Sequence, residues 1–257
     1  MLAETKSISA KAAKESASVI SVSHLKKAFG SNSVLNDFNF SLNKGENVVV
    51  LGKSGSGKSV LIKCIIRLLD HDSGTIEVLG QNLSDLDLDE LDRLRVKIGF
   101  LFQSNALYDS MTVRENLEFP LRRSWIDVTQ AQMNEMVMDT LDDVGLGYTV
   151  DMMPVELSGG MRKRIALART LILKPEIVLY DEPTTGLDPI TGREISELMV
   201  EVQKKYNTSS LIISHDMNCI KLTADRIVVL IDGICYAEGT YAELARSQDK
   251  KVKQFFE

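Results

Sequence analysis

The hydrophobic pattern of the chain predicts two kinds of strand ahead of a glycine-rich loop. Between residues 19 and 42, apolar and polar positions alternate, most clearly at Phe38, Phe40 and Leu42. This period of two is typical of antiparallel strands with one buried face. Residues 48–51 form a short, continuous apolar run instead, which indicates a strand buried on both faces.

Strand and helix then alternate on both sides of a helical middle. Further strands are predicted over residues 75–79, 98–102, 177–180, 211–214 and 227–231, and helices over 60–69 and 190–205. Asp232-Gly233 predicts a hairpin turn into a strand over 234–237, and Thr240 and Glu243 have the spacing that caps a last short helix. The pattern therefore indicates an α/β fold.

The middle of the chain has the periodicity of helices. Thr129 and Gln132 have the spacing of a capping box, and the apolar residues that follow recur at helical period. Residues 151–154 are predicted to form a loop, and another helix is predicted over 162–173, before Pro175. We interpret this part as a helical insertion in one α/β core.

Composition narrows the classes of partner and compartment. A chain of 257 residues with 44% hydrophobic residues suits one large α/β unit, and its net charge of -6, with dispersed Lys and Arg, predicts no nucleic-acid partner. The three cysteines have no CxxC spacing, so neither a disulfide framework nor a zinc site is expected. No apolar run is long enough to span a membrane. Residues 1–18 are rich in Ala, Ser and Lys, and we expect a mobile tail there, not a signal peptide.

The glycine-rich loop matches a phosphate-binding pattern. Residues 52–59 read GKSGSGKS, which fits G-x-x-x-x-G-K-[ST] between a buried strand and a helix. Backbone N–H groups of such a loop surround phosphates, Lys58 would reach the β- and γ-phosphates of ATP, and Ser59 would ligate Mg²⁺. A plain Gly/Ser-rich turn is the alternative. The predicted nucleotide contacts are Gly52, Lys53, Ser54, Gly55, Ser56, Gly57, Lys58, Ser59 and Val60.

Two adjacent carboxylates follow a later apolar strand. Residues 177–182 read IVLYDE, so the strand would end beside the phosphates. Asp181 would hold Mg²⁺ through water, and Glu182 would orient and deprotonate the attacking water. Alone, such a pair is more often a solvated loop, but a P-loop upstream and Pro183 after the pair favour catalysis.

Residues 157–161, LSGGM, followed by RKRIALART, resemble the signature motif of the ATP-binding-cassette (ABC) family. Ser158, Gly159 and Gly160 would open a helix and offer an anion site of hydroxyl, bare backbone and helix dipole. Without its neighbours, this Ser-Gly-Gly would be a simple N-cap with a flexible turn. It precedes the Asp-Glu strand, which is the order the family requires.

The remaining family elements occur in order. Gln103 matches the Q-loop, which contacts Mg²⁺ and the attacking water, Asp188 matches the D-loop, and His215 matches the switch histidine that contacts the γ-phosphate. Phe29 lies where the family stacks an aromatic ring on adenine; the alternative is that it is merely packed in the fold. The resemblance implies catalytic roles for Glu182, His215, Gln103 and Lys58.

The resemblance extends over residues 19–245 and implies a P-loop NTPase fold. It has a RecA-like core, an antiparallel β subdomain and an inserted helical subdomain carrying the signature. The corresponding divisions are an ATPase domain over 19–247, a helical subdomain over about 104–165 and a C-terminal extension over 248–257. The family implies a homodimer around ATP and Mg²⁺, with Ser158 of one chain facing the P-loop of the other.

Residues 102–116, FQSNALYDSMTVREN, are more discriminating than the shared motifs. With residues 119–121 and the ending VKQFF, they resemble Mla/Mce-type cassettes, which move phospholipids between the inner and outer membranes of diderm bacteria. This implies permease subunits, an Mce-type substrate-binding subunit, a small regulatory subunit and attachment to the cytoplasmic face of the inner membrane. Leu107 and Tyr108 would be apolar anchors for a permease helix, unless this loop only covers the core. A cassette of a different ABC importer or exporter stays open.

Other ATPase classes fit less well. A chromosome-maintenance ATPase needs long coiled coils between the halves of the motif set, and Lys58 and Asp181 are too close in sequence for that. A translation-type cassette would carry two cassettes and a basic surface, and a GTPase would carry an NKxD motif. A pure binding module would not need both Glu182 and His215. The sequence therefore predicts an ATP hydrolase coupled to a transporter.

Overall fold

The computed structural model describes residues 18–124 and 126–257. The tail predicted over residues 1–18 lies outside these ranges, except for Ser18, which begins the first strand. The strands are β1 (Ser18–Phe29), β2 (Asn32–Asn43), β3 (Asn47–Leu51), β4 (Ser73–Val78), β5 (Gln81–Asn82), β6 (Ile98–Leu101), β7 (Ile177–Asp181), β8 (Ser209–Ile213), β9 (Arg226–Ile231) and β10 (Ile234–Gly239). The α-helices are α1 (Lys58–Ile65), α2 (Leu88–Val96), α3 (Val113–Arg123), α4 (Gln130–Asp143), α5 (Gly159–Leu171), α6 (Pro189–Tyr206), α7 (Met217–Thr223), α8 (Tyr241–Ala245) and α9 (Lys250–Lys253).

Among the described residues, an antiparallel sheet has the strand order β2-β1-β4-β5. Its alternating pattern buries Val22, Leu25, Phe38 and Leu42 on one face and leaves the positions between them more exposed. Antiparallel sheets with one packed face show this alternation. The antiparallel strands predicted over residues 19–42 are confirmed.

A second sheet has the order β10-β9-β3-β8-β7-β6, with β9, β3, β8, β7 and β6 parallel and β10 antiparallel at the edge. The predicted hairpin turn is confirmed, because Asp232 and Gly233 both have positive φ, at 52° and 76°, and join β9 to β10. Parallel sheets are covered on both faces, so their strands are continuous apolar runs. Ligands bind at the carboxyl ends of such strands.

The two faces of the parallel sheet belong to two hydrophobic clusters. Val49 and Leu51 of β3 join the cluster formed by α3, α4, α5 and α6, whereas Val48 and Val50 join the cluster formed by α1, α2 and the antiparallel sheet. Successive strand residues point to opposite faces, which explains the division. The α/β fold with a parallel core and an antiparallel β subdomain is confirmed. No described helix has the length and hydrophobicity needed to cross a membrane.

Several helix boundaries differ from those predicted. α1 begins two residues earlier than 60 and ends at Ile65, because Arg67 turns into the left-handed region with φ 51°. α5 begins at Gly159, not at residue 162, because Ser158 caps it. The capping boxes at Thr129–Gln132 and Thr240–Glu243 are confirmed, but α8 is not the last helix, since α9 follows. α2, α3 and α7 were not predicted.

Candidate functional site

The P-loop, residues 52–59, joins the end of β3 to the start of α1. Gly55 and Gly57 have φ of 77° and 102°, a conformation that L side chains rarely adopt. A Cβ on Gly57 would lie 2.7 Å from Cγ1 of Val34, and a Cβ on Gly52 would lie 2.8 Å from the carbonyl of Leu230. Glycine is therefore required by the backbone and by the neighbouring strands, which leaves the loop N–H groups free of side-chain cover.

Lys58 is a largely buried lysine inside this loop. Its Nζ donates hydrogen bonds to the carbonyl oxygens of Gly52, at 2.8 Å, and Lys53, at 3.0 Å. Burial lowers the pKa of the Lys58 ammonium, while the nearby carboxylates of Glu182 and Asp181 act to raise it. The loop thus holds a partly desolvated positive charge, an arrangement suited to binding phosphate oxygens.

Ser59 and Asp181 bring two oxygen donors together at the carboxyl ends of β3 and β7. Ser59 Oγ donates to Asp181 Oδ1 at 3.2 Å. Burial raises the pKa of Asp181 despite this hydrogen bond, and the adjacent charge of Glu182 raises it further. A cation would relieve both effects, and hard oxygen donors of this kind suit Mg²⁺, which is typically held by one or two protein groups plus phosphate and water. The residues present therefore fit the ion.

Glu182 and His215 form the other polar pair of the site. His215 Nδ1 lies 2.8 Å from Glu182 Oε2, and Thr185 Oγ1 donates to the same oxygen at 3.3 Å. Glu182 has φ 53°, and its backbone N–H donates to the carbonyl of Ile213 at 2.9 Å. A non-glycine residue held in this region is a local strain that surrounding structure must maintain. The carboxylate of Glu182 therefore faces the imidazole of His215, beside the P-loop.

One cavity of about 760 Å³ brings most of the predicted residues together. Besides the P-loop it is lined by Gln103, Glu182 and His215, which come from the ends of β6, β7 and β8. Apart from Leu51, which directly precedes the loop, the prediction had not included four further lining residues, Val34, Met217, Gln254 and Phe255. None of them belongs to a phosphate-binding pattern, and they meet the loop only through tertiary packing.

Phe29 does not line this cavity. It lies at the end of β1 with 49% of its surface exposed, and the ammonium of Lys27 is 5.5 Å from the centre of its ring. An exposed aromatic ring of this kind is suited to stacking on a planar ligand. Contact between Phe29 and adenine stays a prediction.

The signature residues form a separate group. Ser158 accepts a hydrogen bond from the N–H of Met161 at 3.2 Å and so caps α5. A Cβ on Gly159 would meet nothing within 4 Å, whereas one on Gly160 would lie 2.7 Å from Cγ2 of Thr191. None of the three predicted residues, Ser158, Gly159 and Gly160, lines the P-loop cavity.

Asp188 belongs with this second group. It caps α6, accepting from the N–H groups of Ile190, at 3.0 Å, and Thr191, at 3.1 Å, and from the Thr191 hydroxyl at 2.6 Å. The hydroxyl bond of Thr191 is the main reason that the pKa of Asp188 is lowered. Through Thr191, the starts of α5 and α6 are in contact. The predicted nucleotide contacts of one chain therefore lie in two separate groups.

Known proteins place this arrangement in a family. A family model described as ABC transporter matches residues 35–185. The "Probable ribonucleotide transport ATP-binding protein mkl" of Mycobacterium leprae is 37% identical over 92% of this chain and 68% of its own length. The "Glutamate/glutamine/aspartate/asparagine transport ATP-binding protein BztD" of Rhodobacter capsulatus is 36% identical, over 92% and 89%. The "Intermembrane phospholipid transport system ATP-binding protein MlaF" of Haemophilus influenzae is 35% identical, over 92% and 89%.

Solved structures agree. The dimeric cassette MJ0796 has a TM-score of 0.78 and 30% identity, covering 86% of this chain and 98% of its own. A dimeric post-hydrolysis state of the same cassette, bound to ADP and Pi, has a TM-score of 0.76. The resemblance to ABC cassettes is thus confirmed. This chain belongs to the ABC transporter family and is a cassette ATPase, which binds ATP and hydrolyses it to energise transport.

Proposed function

We propose that two copies of this chain enclose two ATP molecules, each between the P-loop of one copy and the signature residues of the other. The observation that carries the proposal is the division of the site within one chain. Ser158 and Gly159 are exposed at the start of α5 and do not line the P-loop cavity, although both belong to the nucleotide motifs. A second copy would supply the missing half, and the similar cassette MJ0796 is dimeric.

Within each site, the residues divide the work of phosphoryl transfer. Lys58 and the loop N–H groups bind the phosphates, and Glu182 takes the proton of the attacking water while His215 and Thr185 hold its carboxylate. Ser59, Asp181 and Gln103 would hold Mg²⁺, which supplies positive charge beside the β- and γ-phosphates when bound. Most of the catalysis is then positioning and electrostatic stabilisation.

For the transported substrate, we favour phospholipid. Support comes from the 102–116 segment and from the 35% identity to the Haemophilus phospholipid cassette over 89% of its length. The mycobacterial and Rhodobacter relatives have comparable identity, and their names indicate ribonucleotides and amino acids. A cassette that serves another solute is therefore the second candidate. In the favoured case the chain lies against the cytoplasmic face of a bacterial inner membrane, bound to permease subunits, with an Mce-type and a small regulatory subunit in the complex.

The permease would dock on the loop that follows Gln103. Asn116, which is fully buried, holds this loop in shape by accepting from the N–H of Tyr108, at 2.8 Å, and donating to the carbonyls of Tyr108 and Met111, both at 3.1 Å. Tyr108 keeps 42% of its surface exposed, against Phe119 at a ring distance of 4.8 Å. Leu107 is only partly exposed and packs against the core. Tyr108 is therefore the better anchor to test.

The experiment is purification from membranes, with the attached proteins and lipids identified by mass spectrometry. Tyr108→Ala should lose the permease while the free chain keeps its thermal stability and ATP affinity. Tyr148→Ala, which removes another exposed tyrosine from a helical turn, is the matched control and should keep the permease. A complex with a permease that carries amino acids and no phospholipid would assign the second candidate function. Retention of the permease by Tyr108→Ala would place the docking surface elsewhere.

A further inference from the structure

Lys163 is a lysine that the nucleotide motifs do not include. It lies on α5, five residues after Ser158, and only 1% of its surface is exposed. Lysine is rarely buried to this extent unless it has a partner. Its Nζ donates to the backbone carbonyl of Gln103 at 3.3 Å. The signature helix is thereby joined, inside the protein, to the residue that begins the docking loop.

Two residues predicted for the ATP site, Gln103 and Asp181, lie near this ammonium. Burial lowers the pKa of Lys163 to about 8, and the carboxylate of Asp181 opposes that shift. The side chain thus ends at the Gln103 carbonyl, within the electrostatic reach of Asp181. Removing one partner of such a buried contact leaves the other unsatisfied, so the lysine contributes to stability as well as to the position of Gln103.

Two more residues of α5, Arg169 and Thr170, contact the chain between residues 100 and 106. Arg169 donates to the carbonyls of Ala106, at 2.7 Å, and Asn105, at 3.3 Å, and the Thr170 hydroxyl lies 3.4 Å from the carbonyl of Phe100. An α-helix rises about 1.5 Å per residue, so Ser158 and Lys163 are about 7.5 Å apart along one rigid element. The helix that begins at Ser158 is thus attached to the chain around Gln103 at several points.

We propose that Lys163 is a positioning residue, which fixes the Gln103 backbone relative to the signature helix so that Gln103 is correctly placed when the partner's nucleotide engages Ser158. The proposal rests on the composite ATP site described above. Lys163 does not line the P-loop cavity, so its effect should be on turnover and on the order of the loop, not on nucleotide affinity.

The test compares Lys163→Met, which keeps the length of the side chain but loses the donor and charge, with Lys163→Gln, which restores a donor. Lys204→Met is the matched control at an exposed position of α6. Hydrogen exchange of residues 102–106 is measured without nucleotide, together with thermal stability, KM for ATP and kcat. A hydrogen bond from a charged group supports a loss of about tenfold or more in kcat.

For Lys163→Met we expect lower thermal stability, because the Gln103 carbonyl loses its donor. Well below the melting transition, KM should stay within about twofold of the parent, kcat should fall by about tenfold, and exchange over 102–106 should be faster. Lys163→Gln should recover part of the exchange protection and of kcat, and Lys204→Met should match the parent. Unchanged exchange with kcat within about twofold of the parent overturns the proposal. So does a loss of kcat that merely follows a loss of thermal stability in both variants. Because the exchange measurement needs no nucleotide, it is independent of whether the composite site itself is correct.

Discussion

The substitution Gly159→Ala should have opposite effects on the stability of the free chain and on ATP-dependent dimerisation. Gly159 is the first residue of α5, its φ is outside the left-handed region, and a Cβ there meets nothing within 4 Å. Alanine in a helix interior is favoured over glycine by about 0.8–1 kcal/mol. At this terminal position we expect about half of that gain in stability. For a chain of this size, about 0.5 kcal/mol corresponds to a rise of about 1–2 °C in Tm.

The dimer should respond in the opposite direction. If Gly159 closes on the γ-phosphate held by the partner, a methyl group enters a tightly packed contact, where overpacking costs about 1–3 kcal/mol. The dimer contains this contact twice, so ATP-dependent dimerisation should weaken by roughly 30- to 10⁴-fold, since 1.4 kcal/mol is a factor of ten. Sedimentation with ATP in a Glu182→Gln background, which prevents hydrolysis, measures this directly.

Gly160→Ala provides the contrast. A Cβ on Gly160 would lie 2.7 Å from Cγ2 of Thr191, so this variant should lower the thermal stability of the free chain as well. If Gly159→Ala dimerises with ATP as the parent does, while its free chain is as stable as expected, the signature does not approach the nucleotide. The composite site would then be wrong.

Three further results are expected. Glu182→Gln should bind ATP but lose roughly 10²- to 10⁴-fold in hydrolysis, because an amide cannot accept the proton of water. A mixture of Lys58→Ala and Ser158→Arg chains, each inactive alone, should regain partial ATPase activity, since one site of the mixed dimer carries neither lesion. Glu46→Gln should destabilise the chain at neutral pH. Burial acts to raise the pKa of Glu46, but hydrogen bonds from Arg226 at 2.7 and 3.0 Å hold this pKa below its ordinary value of 4.5. That stabilisation is present above pH 4.5 and is lost as the pH falls through the folded-state pKa, so denaturant midpoints of parent and variant should converge in acid.

A specific outcome would contradict each of these three predictions. Hydrolysis by Glu182→Gln within a factor of about two of the parent would remove this residue from proton transfer. No recovery in the mixture, when heterodimers are shown to form, would mean that the sites are not shared or are obligately coupled. A constant difference between Glu46→Gln and its parent at all pH values would assign the stabilisation to packing and not to ionisation.

The phosphate-binding half of the site was predictable because its chemistry is local. A P-loop is a contiguous segment whose glycines, such as Gly55 and Gly57, are needed for backbone conformation, and the strand before it is recognisable by its apolar run. Likewise, the capping box at Thr129–Gln132 is set by residues three apart. Such signals survive without knowledge of the tertiary structure.

Two of the missed helices also carried local signals. The box Thr112–Glu115 opens α3, with both of its hydrogen bonds present, but Pro120 inside the helix disguises the pattern. Pro removes a backbone donor and is a breaker in most helix interiors. Asp87 and Glu90 cap α2 in the same way, within a run of acidic residues that looks like a solvated loop.

Other features depend on residues distant in sequence and so could not be predicted. The carbonyl that Lys163 contacts is 60 residues away, and the side chains of Gln254 and Phe255 reach the P-loop cavity from the other end of the chain. In sequence, Lys163 is one basic residue in the run RKR, where a solvated face is the ordinary interpretation. Only the packing of α5 against the end of β6 distinguishes it from its neighbours.

The different positions of the P-loop residues and of α5 have a consequence for how the cassette works. The residues proposed to bind the phosphates and the attacking water lie in the P-loop and at strand ends, whereas Ser158 lies at the start of a helix. Coordination between the two half-sites instead needs a rigid element long enough to touch both, and α5 meets this need, with Ser158 at one end and contacts to residues 100–106 along its length. A rigid helix transmits a displacement without any change in its own hydrogen bonds. Substitutions on the buried face of α5 should therefore alter turnover more than nucleotide affinity, and substitutions in the P-loop should alter both.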